Sequence, residues 1–264
     1  MHKFTTLIQT AWQRALTHRF SIIAYRIGEI IEVIFLIIMW SSLYEHTAVI
    51  SGYTLPEMLT YILVGNLITF VTRNFLSDFM AREIKDGTLS LFLVKPISYF
   101  TYACIREFGR ITMPFLLSLG THLLIILFFW HRLIITTQVS RLLLLLLMVA
   151  GAFITELLIS YIVGLIAFWT DEVDGVYTTI NRLKKFVSGG YFPLSLLPSL
   201  YIKISYTLPF AYSFFVPTQL YLGKISNTTA LKGIGVQIIW IGLLCGIIKL
   251  VWRRGVRRYE GVGI

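Results

Sequence analysis

The sequence predicts an all-α polytopic membrane protein with six transmembrane helices, and three observations carry that expectation. Hydrophobic residues fill 56% of the 264 positions and charged ones only 14%, at a mean hydropathy of +0.77. An average soluble chain is about 25% charged, so there is too little polar surface here to coat a water-soluble body of this length. Six stretches approach the roughly 20 apolar residues that one helix needs to cross a bilayer core. The excess of 23 Lys and Arg over 13 Asp and Glu reads, in so apolar a chain, as a topology signal before a nucleic-acid footprint. Soluble enzymes are excluded first, no nucleic-acid partner is expected, and residues 1–264 form one membrane domain with the lipid bilayer as its surroundings.

The chain opens on a basic amphipathic segment, residues 1–21. Phe4, Leu7, Ile8, Ala11, Ala15 and Leu16 fall at helical spacing, with Lys3, Gln13, Arg14 and His18 largely on the other side. That pattern predicts a helix lying in the headgroup layer; the alternative is a basic lead-in to the first span. The stretch lacks the short apolar core and small-residue cleavage site of a signal peptide.

The spans follow in order. The first is expected from Ile22 to Tyr44 and the second from Met58 to Met80, with Pro56 placed where a missing N–H costs little. The third runs from Arg110 to Trp130, and the fourth, from Arg141 to Trp169, is the most continuous apolar run. The fifth, Val176 to Phe192, is interrupted by Arg182, Lys184 and Lys185, and the sixth covers Leu231 to Trp252. Cytoplasmic loops retain Lys and Arg during insertion. Placing the N-terminus inside puts most cations in the cytoplasm, those three included, and leaves Arg132, Arg141, Lys203, Lys224 and Lys232 outside. Both termini are expected to be cytoplasmic.

Two connections and the tail are informative. Residues 82–98 read REIKDGTLSLFLVKPIS: a charged start, a turn at Asp86-Gly87-Thr88, an apolar set Leu89, Leu91, Phe92 and Leu93 expected to be exposed, and Pro96 as a stop. A short helix with unburied leucines suits a docking site, or else lies flat beneath its own bundle. Residues 188–226 are apolar yet broken by Pro193, Pro198, Pro209 and Pro217, which predicts short re-entrant helices rather than one long one. An ordinary amphipathic loop at the surface is the other reading. Residues 253–264 form a basic tail.

Chemistry-bearing motifs are few. The sequence contains no G-x-x-x-x-G-K-[ST] phosphate loop, dinucleotide G-x-G-x-x-G, H-E-x-x-H pair or G-x-S-x-G elbow. Cys104 and Cys245 stand in no ligand or redox spacing, so no cofactor, metal site or catalytic residue is expected in this chain. Ionisable residues inside spans are functional candidates by default: Glu29 and Glu32 in the first, His122 in the third and Glu156 in the fourth. Arg26 precedes Glu29 by one turn and suits an ion pair. Glu156 and His122 have no oppositely charged sequence neighbour, so each either bonds across helices or faces a substrate path.

Taken in order, the basic amphipathic start, the REIKDGTLSLFLVKPIS segment, GGYFPLSLLP with the later LPFAYSFFVPTQLYLG, and the tail RRGVRRYEGVG resemble the permease subunit of a type-2 ATP-binding-cassette (ABC) exporter. The resemblance covers essentially the whole chain and is strongest to a bacterial branch of inner-membrane proteins. It implies half of a translocation path, completed by a second permease copy or a related permease, above an ABC ATPase subunit that holds the ATP and Mg. It further implies a coupling helix containing Glu83, Lys85, Asp86, Gly87, Thr88, Leu89, Leu91 and Phe92. Outer-gate helices would carry Phe192, Pro193, Pro198, Pro209, Phe210 and Pro217. An apolar, aromatic lining suits an amphiphile such as a drug, a secondary metabolite or a lipid. The rival reading is a proton-coupled secondary transporter working without an ATPase through Glu156 and His122, although no internal repeat of the kind such folds often show is visible.

Overall fold

The structure, a computed structural model, describes residues 19–170 and 173–259, so the expected interfacial helix and the end of the basic tail lie outside the described residues. Helix α1 (Arg19–Leu43) leads to a hairpin in which β1 (Val49–Ile50) pairs antiparallel with β2 (Tyr53–Thr54). Its turn uses Gly52 at φ 81°, a conformation open to glycine at no steric penalty. Helix α2 (Leu55–Thr72) then starts on a capping box: the Thr54 amide donates to the Glu57 carboxylate at 2.8 Å.

The second expected span is not one helix. It stops at Thr72 and resumes as α3 (Leu76–Lys85), because side chains from other helices satisfy the backbone at the break. The Phe75 amide donates to Glu107 Oε1 at 2.7 Å, the Ser77 amide to Ser160 Oγ at 3.0 Å, and the Tyr177 hydroxyl donates to the Asn74 carbonyl at 3.0 Å. Broken backbone at membrane depth persists only where protein supplies such partners.

After the short α4 (Ser90–Leu93) come α5 (Tyr99–Phe129), α6 (Val139–Leu165), α7 (Val173–Val187), α8 (Ser199–Thr207), α9 (Phe215–Tyr221) and α10 (Asn227–Arg258). Among the described residues three stretches are long and apolar enough to cross a membrane: Leu55–Lys85, Val139–Phe168 and Asn227–Arg258. Shorter apolar runs occupy Ile30–Leu43 and Leu119–Arg132. The expected third span is the apolar end of α5, which begins eleven residues earlier, at Tyr99. The expected fifth span is smaller: α7 has 15 residues, about 22 Å at 1.5 Å per residue, against a hydrocarbon core of about 30 Å.

Helices α6 and α10 form the most extensive pair. Small residues let them approach: Gly151 lies against Gln237, and Gly233 against Met148 and Tyr212. The Gln237 amide donates to the carbonyls of Met148 and Tyr212, both at 3.0 Å. One apolar cluster, with Tyr53, Tyr61, Phe214, Phe215 and Leu220, fills the hairpin end of the bundle; another, with Leu76, Met80, Leu89, Tyr99 and Leu165, fills the opposite end.

The proline-broken segment folds into the first of these clusters. Residues 211–220 are buried throughout, and Pro217 sits in the first turn of α9, where its ring displaces no helical donor. Phe214 rests on Gly65 of α2 so closely that an added Cβ would stand 2.2 Å from Cζ of the ring. Gly65→Val is therefore expected to lower stability by about 1–3 kcal/mol through overpacking, measured as the thermal midpoint in mild detergent. Adding Phe214→Ala should relieve part of that loss; no relief would mean that another contact dominates.

Candidate functional site

Two regions gather the residues singled out by the sequence. The first is the turn joining α3 to α5. Gly87 has φ 74°, and its carbonyl accepts from both the amide (3.2 Å) and the hydroxyl (2.7 Å) of Ser90. The turn thereby sends Leu89 inward, where it is fully buried among Leu76, Met80 and Ala81, correcting the expectation that it is exposed. Phe92 is also half-withdrawn, its ring stacked 4.2 Å from that of Tyr102.

Glu83 turns inward as well. Tyr99 Oη donates to its carboxylate at 2.7 Å and Arg106 Nη1 at 3.0 Å, with the Arg106 guanidinium 3.3 Å from the centre of the Phe79 ring. Its carboxylate is committed to α5, so Glu83 braces α3 rather than presenting itself to a partner. The outward face consists of Lys85, Asp86 and Thr88 beside Leu91, Leu93, Val94 and Ile97, of which Leu91 is 55% and Val94 84% exposed. Val94 and Ile97 escaped notice in the sequence, although apolar residues on both sides of Lys95-Pro96 mark them.

The second region is a polar cluster where α7 meets α1 and α6. Lys184 Nζ of α7 donates to Glu156 Oε2 of α6 at 2.5 Å and to Asn181 Oδ1 at 2.9 Å. The adjacent Lys185 pairs with Glu32 of α1. Consecutive helical residues point about 100° apart, so α7 reaches α6 with one lysine and α1 with the next. Both cations therefore have counter-ions on other helices, a pairing the topology reading does not anticipate. His122 Nε2 lies 2.9 Å from Asn66 Oδ1, again across helices. Glu29 falls on α1, but the Arg26–Glu29 pairing rests on side chains outside the described ones.

A cavity of about 30 Å³ opens between α1, α2 and α7, lined by Glu32, Asn66, Thr69, Arg73, Lys185 and Phe214 among others. It has room for about two water molecules. Asn66, Thr69 and Arg73 were missed in the sequence, although three polar side chains in one apolar span are a legible signal.

At the hairpin end, Lys224 Nζ lies 2.8 Å from Glu57 Oε1, donates to the Gly52 carbonyl at 2.7 Å and covers the Tyr53 ring at 4.4 Å. Burial pushes the Tyr53 hydroxyl above its ordinary pKa, so it stays protonated and accepts a hydrogen bond from Gln219. Of the expected gate residues, Pro193, Pro209 and Pro217 are buried, Phe192 and Phe210 half-buried and Pro198 exposed. Phe192 meets Phe186 of α7 edge-on at 5.4 Å, and the Tyr61 hydroxyl donates to the Gly189 carbonyl at 2.6 Å, tying the start of the segment to α2.

Comparison with known proteins finds that residues 30–263 match the family described as ABC-2 family transporter protein. No curated protein and no solved structure matches the chain.

Proposed function

The chain belongs to the ABC-2 transporter family and is a permease subunit of an ABC transporter, and from that premise we propose that it is half of an ATP-driven exporter for an amphiphilic substrate. ATP and Mg²⁺ are held by a separate ATPase subunit, and a second permease copy or a related permease completes the path. In this reading the membrane is a bacterial inner membrane, both termini are cytoplasmic, and the hairpin and the proline-broken segment close the outer side. Six passages then require α7, continued by the Gly189-Gly190 turn and the re-entrant helices, to complete the short fifth one.

The observation that carries the proposal is the outward apolar ridge of Leu91, Leu93, Val94 and Ile97 on a turn whose other side is locked into the bundle. Exposed apolar side chains at the end of a membrane helix suit a protein groove. Because Glu83, Tyr99 and Arg106 clamp α3 to α5, a push on the ridge moves both helices together. The break at Arg73–Phe75 gives α3 a place to pivot against α2. A conformational step is driven only by contacts that differ between two states, so ATP-dependent closure of the ATPase pair acts through this seat.

The rival reading is a proton-coupled secondary transporter working through Glu156, here paired with Lys184, and His122, here beside Asn66. Reconstituted with its ATPase, the permease is expected to move an amphiphile across proteoliposomes only with hydrolysable ATP. Undiminished movement under a proton gradient without ATP would transfer the proposal to a secondary transporter.

A further inference from the structure

The arginines read from the sequence as a tail belong to a helix: α10 runs on to Arg258, and Arg253, Arg254, Arg257 and Arg258 are all exposed on it. At about 100° per residue, with Arg253 set at zero, Arg257, Arg254 and Arg258 follow at about 40°, 100° and 140°. Gly255, Tyr259, Trp252 and Val256 fall between about 200° and 300°, and that side is packed. A Cβ on Gly255 would stand 2.1 Å from Phe168 Cδ2, Tyr259 meets the Phe168 ring edge-on at 5.9 Å, and Trp252 stacks on Tyr99 at 5.4 Å. The arginine arc is thus the outer face of the helix. Ile239, Leu243, Ile247 and Leu250 occupy the same arc, between about 40° and 120°, and range from 40% exposed at Ile247 to 63% at Ile239. We propose that this face binds an anionic phospholipid, its phosphate head held by the arginines and its acyl chains lying along the apolar strip.

One ligand accounts for both halves of the face. An acidic head with hydrocarbon tails meets the cations and the strip together, whereas a soluble anion would use the arginines alone. Cations clustered just beyond an apolar span recruit anionic lipid, each adding about fivefold near the surface, and a guanidinium matches phosphate with two parallel donors. Acidic side chains outside the described ones, Asp171, Glu172, Asp174 and Glu260, do not alter this. A carboxylate engages two of a guanidinium's five donors, and all four arginines are exposed, so donors remain for phosphate. A second copy seated α10 against α10 is disfavoured, because a twofold axis along the bilayer normal would set two arginine arcs against each other. The end of α10 that the lipid would hold also stacks on Tyr99, the donor to Glu83, so a bound head steadies the brace of the turn joining α3 to α5. The lipid site does not depend on the transport reading above.

The test titrates the full chain, in a neutral detergent, with phosphatidylglycerol and with phosphatidylcholine and reads the first bound lipid by native mass spectrometry. Phosphatidylglycerol is expected to bind about tenfold more tightly or better. Arg253→Gln/Arg254→Gln/Arg257→Gln should remove most of that preference, while Arg253→Lys/Arg254→Lys/Arg257→Lys, which keeps the charge, should retain most of it. All three side chains are exposed, so neither variant should disturb the bundle. Arg82→Gln/Lys85→Gln/Lys95→Gln removes the same charge from the turn joining α3 to α5 and should leave the preference in place. Equal losses in the two glutamine variants would make the preference a property of net charge and overturn the site, as would equal binding of both lipids by the parent. Displacement of phosphatidylglycerol by an equal concentration of its chain-free head, glycerophosphoglycerol, would show that the apolar strip contributes nothing and would overturn the lipid assignment. If Arg253→Gln/Arg254→Gln/Arg257→Gln keeps the lipid preference but loses a co-purifying ATPase, the face belongs to a protein partner and the proposal falls.

Discussion

Glu156→Gln is expected to destabilise the protein by about 3–5 kcal/mol, the range for breaking a buried ion pair from one side. The Glu156 side chain is 9% exposed and that of Lys184 23%, so Lys184 would be left charged in a place where water screens it little. The substitution keeps the shape and removes only the charge, which separates electrostatics from packing. The double variant Glu156→Gln/Lys184→Met should recover much of the loss, since removing both charges also removes the desolvation penalty. Thermal unfolding in mild detergent reads both, and the interaction energy of the full cycle isolates the pair. Equal losses in the single and double variants would assign the effect to packing around α7. The outcome also bears on transport: a structural pair predicts a destabilised single variant whose rescued double still works, whereas a proton relay predicts that the double is stable and inactive.

Gly87→Val is expected to uncouple ATP hydrolysis from transport, leaving membrane insertion intact. A β-branched residue at φ 74° is strained by about 1–3 kcal/mol, and relaxing it rotates the turn that holds Leu89 in the core and Leu91 outside. Because the carbonyl of Gly87 also accepts both Ser90 bonds, the whole face from Lys85 to Val94 should be re-aimed. Basal hydrolysis by the reconstituted complex should persist while substrate movement per ATP falls at least tenfold. Gly87→Asn, which tolerates positive φ better, should retain most of the coupling. Unchanged coupling in Gly87→Val would separate this turn from force transmission.

The sequence exposes the apolar spans because length and hydropathy are local properties. Val139–Leu165 and Asn227–Arg258 lie where the apolar runs put them. It does not expose the break at Arg73–Phe75, since nothing near Asn74 is a proline or glycine. The partners that make the break tolerable, Glu107, Ser160 and Tyr177, arrive from three other helices. The pairing of the α7 lysines is hidden for the same reason: their counter-ions, Glu32 and Glu156, lie 153 and 28 residues away, and no local spacing links them. Leu89 was misplaced because a four-residue helix offers no period from which to infer its buried face. The division of residues 188–226 into short helices, by contrast, is legible from its prolines, which fix where helices cannot continue.

The measurement that bears most directly on the account is purification of the tagged chain from its own host, with and without Leu91→Glu and Val94→Glu. Both positions are exposed, so neither change should disturb the bundle, and the thermal midpoint should stay within about 0.5 kcal/mol equivalent of the parent. The account predicts that an ATPase subunit accompanies the parent stoichiometrically and is lost from the double variant, together with ATP-driven transport. An ATPase that remains bound to the charged variant, or a parent that purifies alone and transports without ATP, would contradict it.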